Sequence, residues 1–178
     1  KYYEARFIIW GKNNIISIVR DITENKDKEI KIKESEDKFS KIFKLSPDII
    51  MITSIKEGKI IEANDSFFKL SEYTPEESIG KTSTELKIWL KVEERTNILS
   101  SLIENSRIEN IEFNFNSKSG KVYICLVSCE FIELFNEKYI LSVIRNITEQ
   151  KQIQNKLNTE RLRLRTLFET IPDLIWLK

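Results

Sequence analysis

Apolar and polar positions along the chain fall into short blocks separated by clear turn signals. Asp48–Ser54 is β-branched and apolar and predicts a strand. Lys56–Lys59 supplies a turn in which Gly58 is free to take positive φ, and Lys59–Glu62 follows as a second short strand, so the two form a hairpin. Asn64 is placed to cap a short helix over Asp65–Leu70, with Phe67, Phe68 and Leu70 as its apolar side. Pro75 stands near another helix start, with Glu76 and Glu77 in the first turn and Gly80 just past the end. Glu93 and Glu94 open a longer helix to about Asn105, whose Ile98, Leu99, Leu102 and Ile103 are predicted to share one face. Three strands complete the series: Ile108–Asn116, Val122–Glu133 and Lys138–Asn146. The order β-β-α-α-α-β-β-β, joined by hairpins, predicts an α+β domain with a mainly antiparallel sheet and helices segregated to one face.

The pattern also repeats. Ile15–Glu24 resembles Ile140–Glu149 at an offset of 125 residues, and the same offset aligns Phe43 with Phe168, Pro47 with Pro172, Asp48 with Asp173 and Ile50 with Ile175. Two blocks sharing one offset predict a window on a tandem array. Residues 1–24 would be the C-terminal strands of a preceding module, 36–149 a complete module, and 168–178 the start of a following one. The linkers, 25–42 and 150–167, read as helices. Ile153, Leu157, Leu164, Leu167 and Ile171 follow coiled-coil spacings, echoed by Ile32, Phe39 and Ile42. Such a seam either covers its own sheet or pairs with a second copy in a parallel homodimer.

Composition narrows the chemistry. Lys and Arg number 29 against 28 Asp and Glu, so there is no basic field for nucleic acid. The four glycines are scattered, which excludes a phosphate-cradling loop. With no histidine, a Ser-His-Asp triad, a His-ligated metal and a His-ligated haem are all excluded for this segment, which is therefore read as non-enzymatic. Cys125 and Cys129 lie four apart on one strand, about 13 Å at roughly 3.3 Å per residue, too far to bridge each other. They read as small buried hydrophobes of a reducing compartment. No apolar run approaches the roughly 18 residues of a membrane span, and no signal peptide is visible. The expectation is a cytoplasmic segment without membrane contact. The first residue is not Met, so the chain reads as a piece of a longer protein.

Several blocks together resemble the PAS domain family. They are Asp48–Ile50 with Gly58 and Ile60, Glu62–Asn64, Phe67–Tyr73, Pro75–Lys81, Leu86–Trp89, Glu94-Arg95 and Gly120–Val122. The closing Arg20–Glu24 and Arg145–Glu149 are similar to the signature that ends such modules. The resemblance implies a PAS fold, a five-stranded antiparallel sheet with helices on one face, and a small-molecule cavity between sheet and helices. It places Ile50, Phe68, Trp89, Ile98, Leu102, Cys125, Val127 and Cys129 around that cavity, with ordinary core packing as the alternative role for each. Trp89 and Tyr73 could form a lid. Ser78 stands where photoreactive members carry a cysteine, so no covalent flavin is expected; non-covalent flavin and an empty cavity both remain open. At the junction of last strand and outgoing helix, the signal-transfer roles fall on Asp21 and Thr23 in the first module and on Arg145, Asn146 and Thr148 in the central one. Asn146 departs from the family's Asp, which puts its charged pairing in doubt and leaves a plain capping role as the alternative.

The resemblance further implies a sensory or relay module in a prokaryotic two-component signalling protein, most often a histidine kinase. Neighbouring PAS modules and an output domain would be its partners within the parent chain, beside a small-molecule ligand. The alternatives are a ligand-free dimerisation or spacer module and a PAS sensor of a cyclic-nucleotide signalling protein.

Overall fold

The computed structural model describes residues 1–10, 14–134 and 136–170. The chain divides into two compact units, Lys1–Lys44 and Leu45–Lys178. The predicted start of a following module at 168–178 lies almost wholly outside the described residues, as do Ile171, Pro172, Asp173 and Ile175.

The first unit contains β1 (Tyr3–Trp10) and β2 (Asn14–Asp21), followed by the helix α1 (Thr23–Leu45). The strands pair antiparallel with Tyr3 opposite Asp21 and form a two-stranded sheet. Apolar side chains on both faces of this ribbon remain exposed, among them Phe7 and Val19 on one and Ile8 and Ile16 on the other.

The second unit runs β3 (Ile49–Ser54), β4 (Ile60–Ala63), α2 (Asp65–Ser71), α3 (Pro75–Ser78), α4 (Val92–Asn105), β5 (Arg107–Asn116), β6 (Val122–Leu134), β7 (Glu137–Asn146) and α5 (Thr148–Thr170). Its five strands form one antiparallel sheet in the order β4-β3-β7-β6-β5. The α+β architecture is the one the apolar pattern predicts. Gly58 and Gly120 take positive φ in their turns, where a side chain would be strained.

Asn64 ties the front of the unit together. Its side-chain oxygen accepts from the Phe67 N–H at the start of α2 (3.3 Å) and from the Ile50 N–H on β3 (3.1 Å), while its Nδ2 donates to the Asp48 carbonyl (2.9 Å). One almost inaccessible amide therefore caps a helix and fixes the entering strand. Thr74 and Glu77 form a reciprocal capping box around Pro75 at the start of α3. Ser78 is buried in that helix, its hydroxyl donating to the Thr74 carbonyl (2.6 Å).

The core lies between the inner face of the sheet and the helices and is centred on Phe67, Phe113, Phe115, Ile60, Leu102 and Cys125. On α4, Ile98 and Leu102 are buried one turn apart, and Leu99 is half-buried beside them. Ile103 was expected on the same face but is 71% exposed. A helix turns about 100° per residue, so once positions 98 and 102 set the buried stripe, position 103 rotates out of it.

Candidate functional site

A cavity of about 250 Å³ opens between the sheet and α4. Its floor is built by strand register. Met51, Ser142 and Cys129 lie side by side across β3, β7 and β6, and Ile144 pairs with Val127 in the next inward row. Ile98, Leu99 and Leu102 of α4 form the opposite wall. Trp89 closes one side, its ring 4.7 Å from that of Phe113 and its Nε1 donating to the Ser83 hydroxyl (2.9 Å). The rim carries Lys56, Glu57 and Gly58 from the β3–β4 turn, together with Arg95.

Of the eight residues expected around this cavity, Trp89, Ile98, Leu102, Val127 and Cys129 line it. Three others are placed elsewhere. Ile50 points to the opposite face of β3, because the buried positions are its neighbours Ile49 and Met51. Phe68 packs edge-on against Phe67, and it is Phe67 that the Asn64 cap turns fully inward. Cys125 does face inward but is sealed in core away from the cavity. Tyr73 is no lid: its hydroxyl donates to the Leu86 carbonyl (2.7 Å), and it does not line the cavity. Sequence reasoning missed Met51, Leu99, Ile140, Ser142, Ile144 and Arg95. The alternation Ile140, Ser142, Ile144 on one strand was the available signal for three of them.

The floor is chemically quiet. The Cys129 Sγ and Ser142 Oγ lie 3.3 Å apart and share a hydrogen bond. Burial pushes the Cys129 thiol up, the Ser142 hydrogen bond opposing in part, and it pushes Cys125 up to about 12. Both sulfurs therefore stay protonated and are poor nucleophiles near neutral pH.

The exit of the sheet is a second constructed feature. The Thr148 hydroxyl accepts from the Ile124 N–H (2.9 Å) and donates to the Ile124 carbonyl (3.4 Å). The Ile147 N–H donates to the same carbonyl (2.9 Å), and the Asn146 side-chain oxygen accepts from the Thr148 N–H (2.9 Å). This clasp fastens the start of α5 to β6, and Lys151 adds an ion pair to Glu112 on β5 (2.7 Å). Asn146 thus caps without charge. The charged pair lies one residue earlier: Arg145 holds the Asp48 carboxylate through Nε (3.1 Å) and Nη2 (2.8 Å), joining the exit of β7 to the chain entering β3.

The same clasp occurs in the first unit. The Thr23 hydroxyl accepts from the Tyr2 N–H (2.8 Å) and donates to the Tyr2 carbonyl (3.3 Å). The Ile22 N–H donates to that carbonyl (3.0 Å), and Asp21 accepts from the Thr23 N–H (2.9 Å). Hydrogen bonds from Thr23 hold the Asp21 carboxyl below its ordinary range. Each clasp leads directly into a long helix, α1 in the first unit and α5 in the second.

The PAS domain family matches residues 47–149, which carry the sheet, the cavity and the exit clasp. The chain belongs to the PAS domain family. This PAS chain is 26% identical over 170 residues to sporulation kinase E of Bacillus subtilis, covering 89% of this chain and 21% of that protein. It is 31% identical over 136 residues to the methyl sulfide methyltransferase-associated sensor of Methanosarcina acetivorans, covering 74% of this chain and 13% of that protein. The chain thus spans about a fifth or less of the curated relatives it matches. In structure it is similar to the PAS domain of an HTR-like protein from Haloarcula marismortui, with a TM-score of 0.58, 24% identity, and coverage of 68% of this chain and 99% of that one. Among the described residues, no helix of this PAS protein is long and apolar enough to cross a membrane.

Proposed function

We propose that this chain is a sensory and relay segment of a multi-PAS signalling protein, with a protein-histidine kinase as the parent. Its own role is binding and mechanical transmission, without catalysis. A small molecule enters the cavity and favours one packing of α4 against the sheet by binding that packing more tightly. The change passes to α5 and onward to an output domain.

The observation that carries this reading is the continuity of cavity and exit. β6 supplies Val127 and Cys129 to the cavity, and the backbone of Ile124 on the same strand holds Thr148. β7 supplies Ser142 and Ile144 to the cavity and ends at Asn146, which caps α5. A small displacement of either strand therefore moves the root of α5. The similarity to sporulation kinase E supports kinase parentage. The exposed seam Ile153, Leu157, Leu164 and Leu167 on α5 supports pairing of this helix with its counterpart in a second copy.

The test is the double substitution Asn146→Ala with Thr148→Ala in the full-length parent. Ligand affinity at the cavity is expected to stay within about twofold while ligand-dependent output is lost, since only the linkage is cut. Normal output from the double variant would show that the relay does not run through the clasp.

A further inference from the structure

Arg95 is the unusual member of the cavity. It sits in the first turns of α4, partly buried, and reaches over the β3–β4 turn. A Cβ on Gly58 would come within 3.3 Å of its Nη2, so the glycine gives the guanidinium room to lie across the rim. Nearby acids are engaged elsewhere. Glu57 is paired with Lys59, and Glu94 accepts from the N–H (3.2 Å) and Nδ2 (3.1 Å) of Asn114. Arg95 itself has no ion pair or hydrogen bond among the described residues. Lys56 adds a second cation to the rim. A positive rim thus stands over a largely apolar chamber whose floor polar groups, Cys129 and Ser142, are hydrogen-bonded to each other.

Taking the cavity as the sensing site proposed above, we infer that its ligand is a compact apolar acid. One carboxylate pairs with Arg95 at the rim, and a small aromatic or branched hydrocarbon body lies against Met51, Ile98, Leu102 and Val127. The guanidinium fork matches a carboxylate in two parallel hydrogen bonds. A phosphate would call for a cradle of several backbone donors, which the scattered glycines do not provide. The volume sets the size: about 250 Å³ lies below the roughly 300–1,000 Å³ of sites for drug-sized ligands.

The experiment is isothermal titration of the whole chain with three near-isosteric probes: phenylpropionate, phenylpropanol and phenylpropylamine. The acid is expected to bind about tenfold tighter than the alcohol, as a charge-assisted hydrogen-bonded pair would give, and the amine weakest. Raising salt should shrink the acid's advantage in the unmodified protein, a readout that needs no variant. Arg95→Gln should bring acid and alcohol within about twofold, chiefly by weakening the acid. Equal binding of acid and alcohol by the unmodified protein, or an acid preference that survives Arg95→Gln, would overturn the inference and leave the cavity as a ligand site. If none of the three probes binds, the reading of the cavity as a sensing site falls with it.

Discussion

In the β6–β7 hairpin, Cys125, Val127 and Ile144 are buried against helices, with β5 on one side and β3 on the other. In the β1–β2 hairpin, Phe7 is 71% exposed and Val19 61%, and the sheet ends at its two strands. Yet both hairpins end in the same Thr clasp and release a long helix. The clasp is therefore a local device, made by an Asx side chain, a threonine and the neighbouring strand. It does not require the sheet that surrounds it in the central module. Burial does require it: the apolar side chains of a ribbon find cover only when further strands and helices pack on it.

Hydrogen exchange should give the largest contrast. Amides of β7 are held on both edges and are expected to exchange only on global opening of the second unit. Those of β2, in a dilute monomeric sample, should exchange about a thousandfold faster or more, since a two-stranded ribbon opens locally. Equal protection of β2 and β7 in a monomer would break the comparison and show that the first hairpin is covered.

The helices carry the contrast further. On α5, Ile153, Leu157, Leu164 and Leu167 are each 46–60% exposed, and on α1 Ile32, Phe39 and Ile42 are 60–64% exposed. The seam of α5 is longer and richer in leucine, so it should contribute more to self-association. Leu157→Glu with Leu164→Glu is expected to weaken any self-association by about tenfold or more by placing charge in an apolar seam. Ile32→Glu with Ile42→Glu should weaken it less. Sedimentation velocity reads both, and an unmodified chain that stays monomeric at tens of micromolar would refute the pairing for this segment.

What was legible in the sequence follows the same division between local and distant causes. Turns, caps and strand order could be read because each is written in a few adjacent residues, such as Asn64 before Phe67 or Gly58 between two β-branched runs. The phase of β3 could not. Ile49, Ile50, Met51 and Ile52 are all apolar, so only pairing with β7, which sets Met51 opposite Ser142, decides which face is buried. Phe67 and Phe68 pose the same problem on a helix, and the cap at Asn64 resolves it. Arg95 was legible only as part of a family block, because its place at the rim depends on Gly58 in another element. The ion pair of Asp48 with Arg145 spans 97 residues, but it had left a trace: both residues fall in the blocks that repeat at an offset of 125.

The two clasps differ in one atom group, and that difference gives the smallest and most specific prediction. Asp21 and Asn146 occupy equivalent places, each accepting from the N–H of the threonine two residues on. A carboxylate titrates; an amide does not. Hydrogen bonds from Thr23 lower the Asp21 pKa from its ordinary 3.8, so in the folded state the charged form is favoured over that in an unfolded chain. The sign follows from linkage: the contribution of this bond is fully present above 3.8 and is lost as pH falls through the lowered folded value. On lowering the pH from 6 toward 2.5, the Thr23 amide resonance should therefore shift with a midpoint below 3.8, while that of Thr148 holds its position. Asp21→Asn should make the first clasp as indifferent to acid as the second. A Thr23 amide that titrates at 3.8 or above would mean that Asp21 does not hold it in solution, and the likeness of the two exits would then rest on the threonine hydroxyls alone.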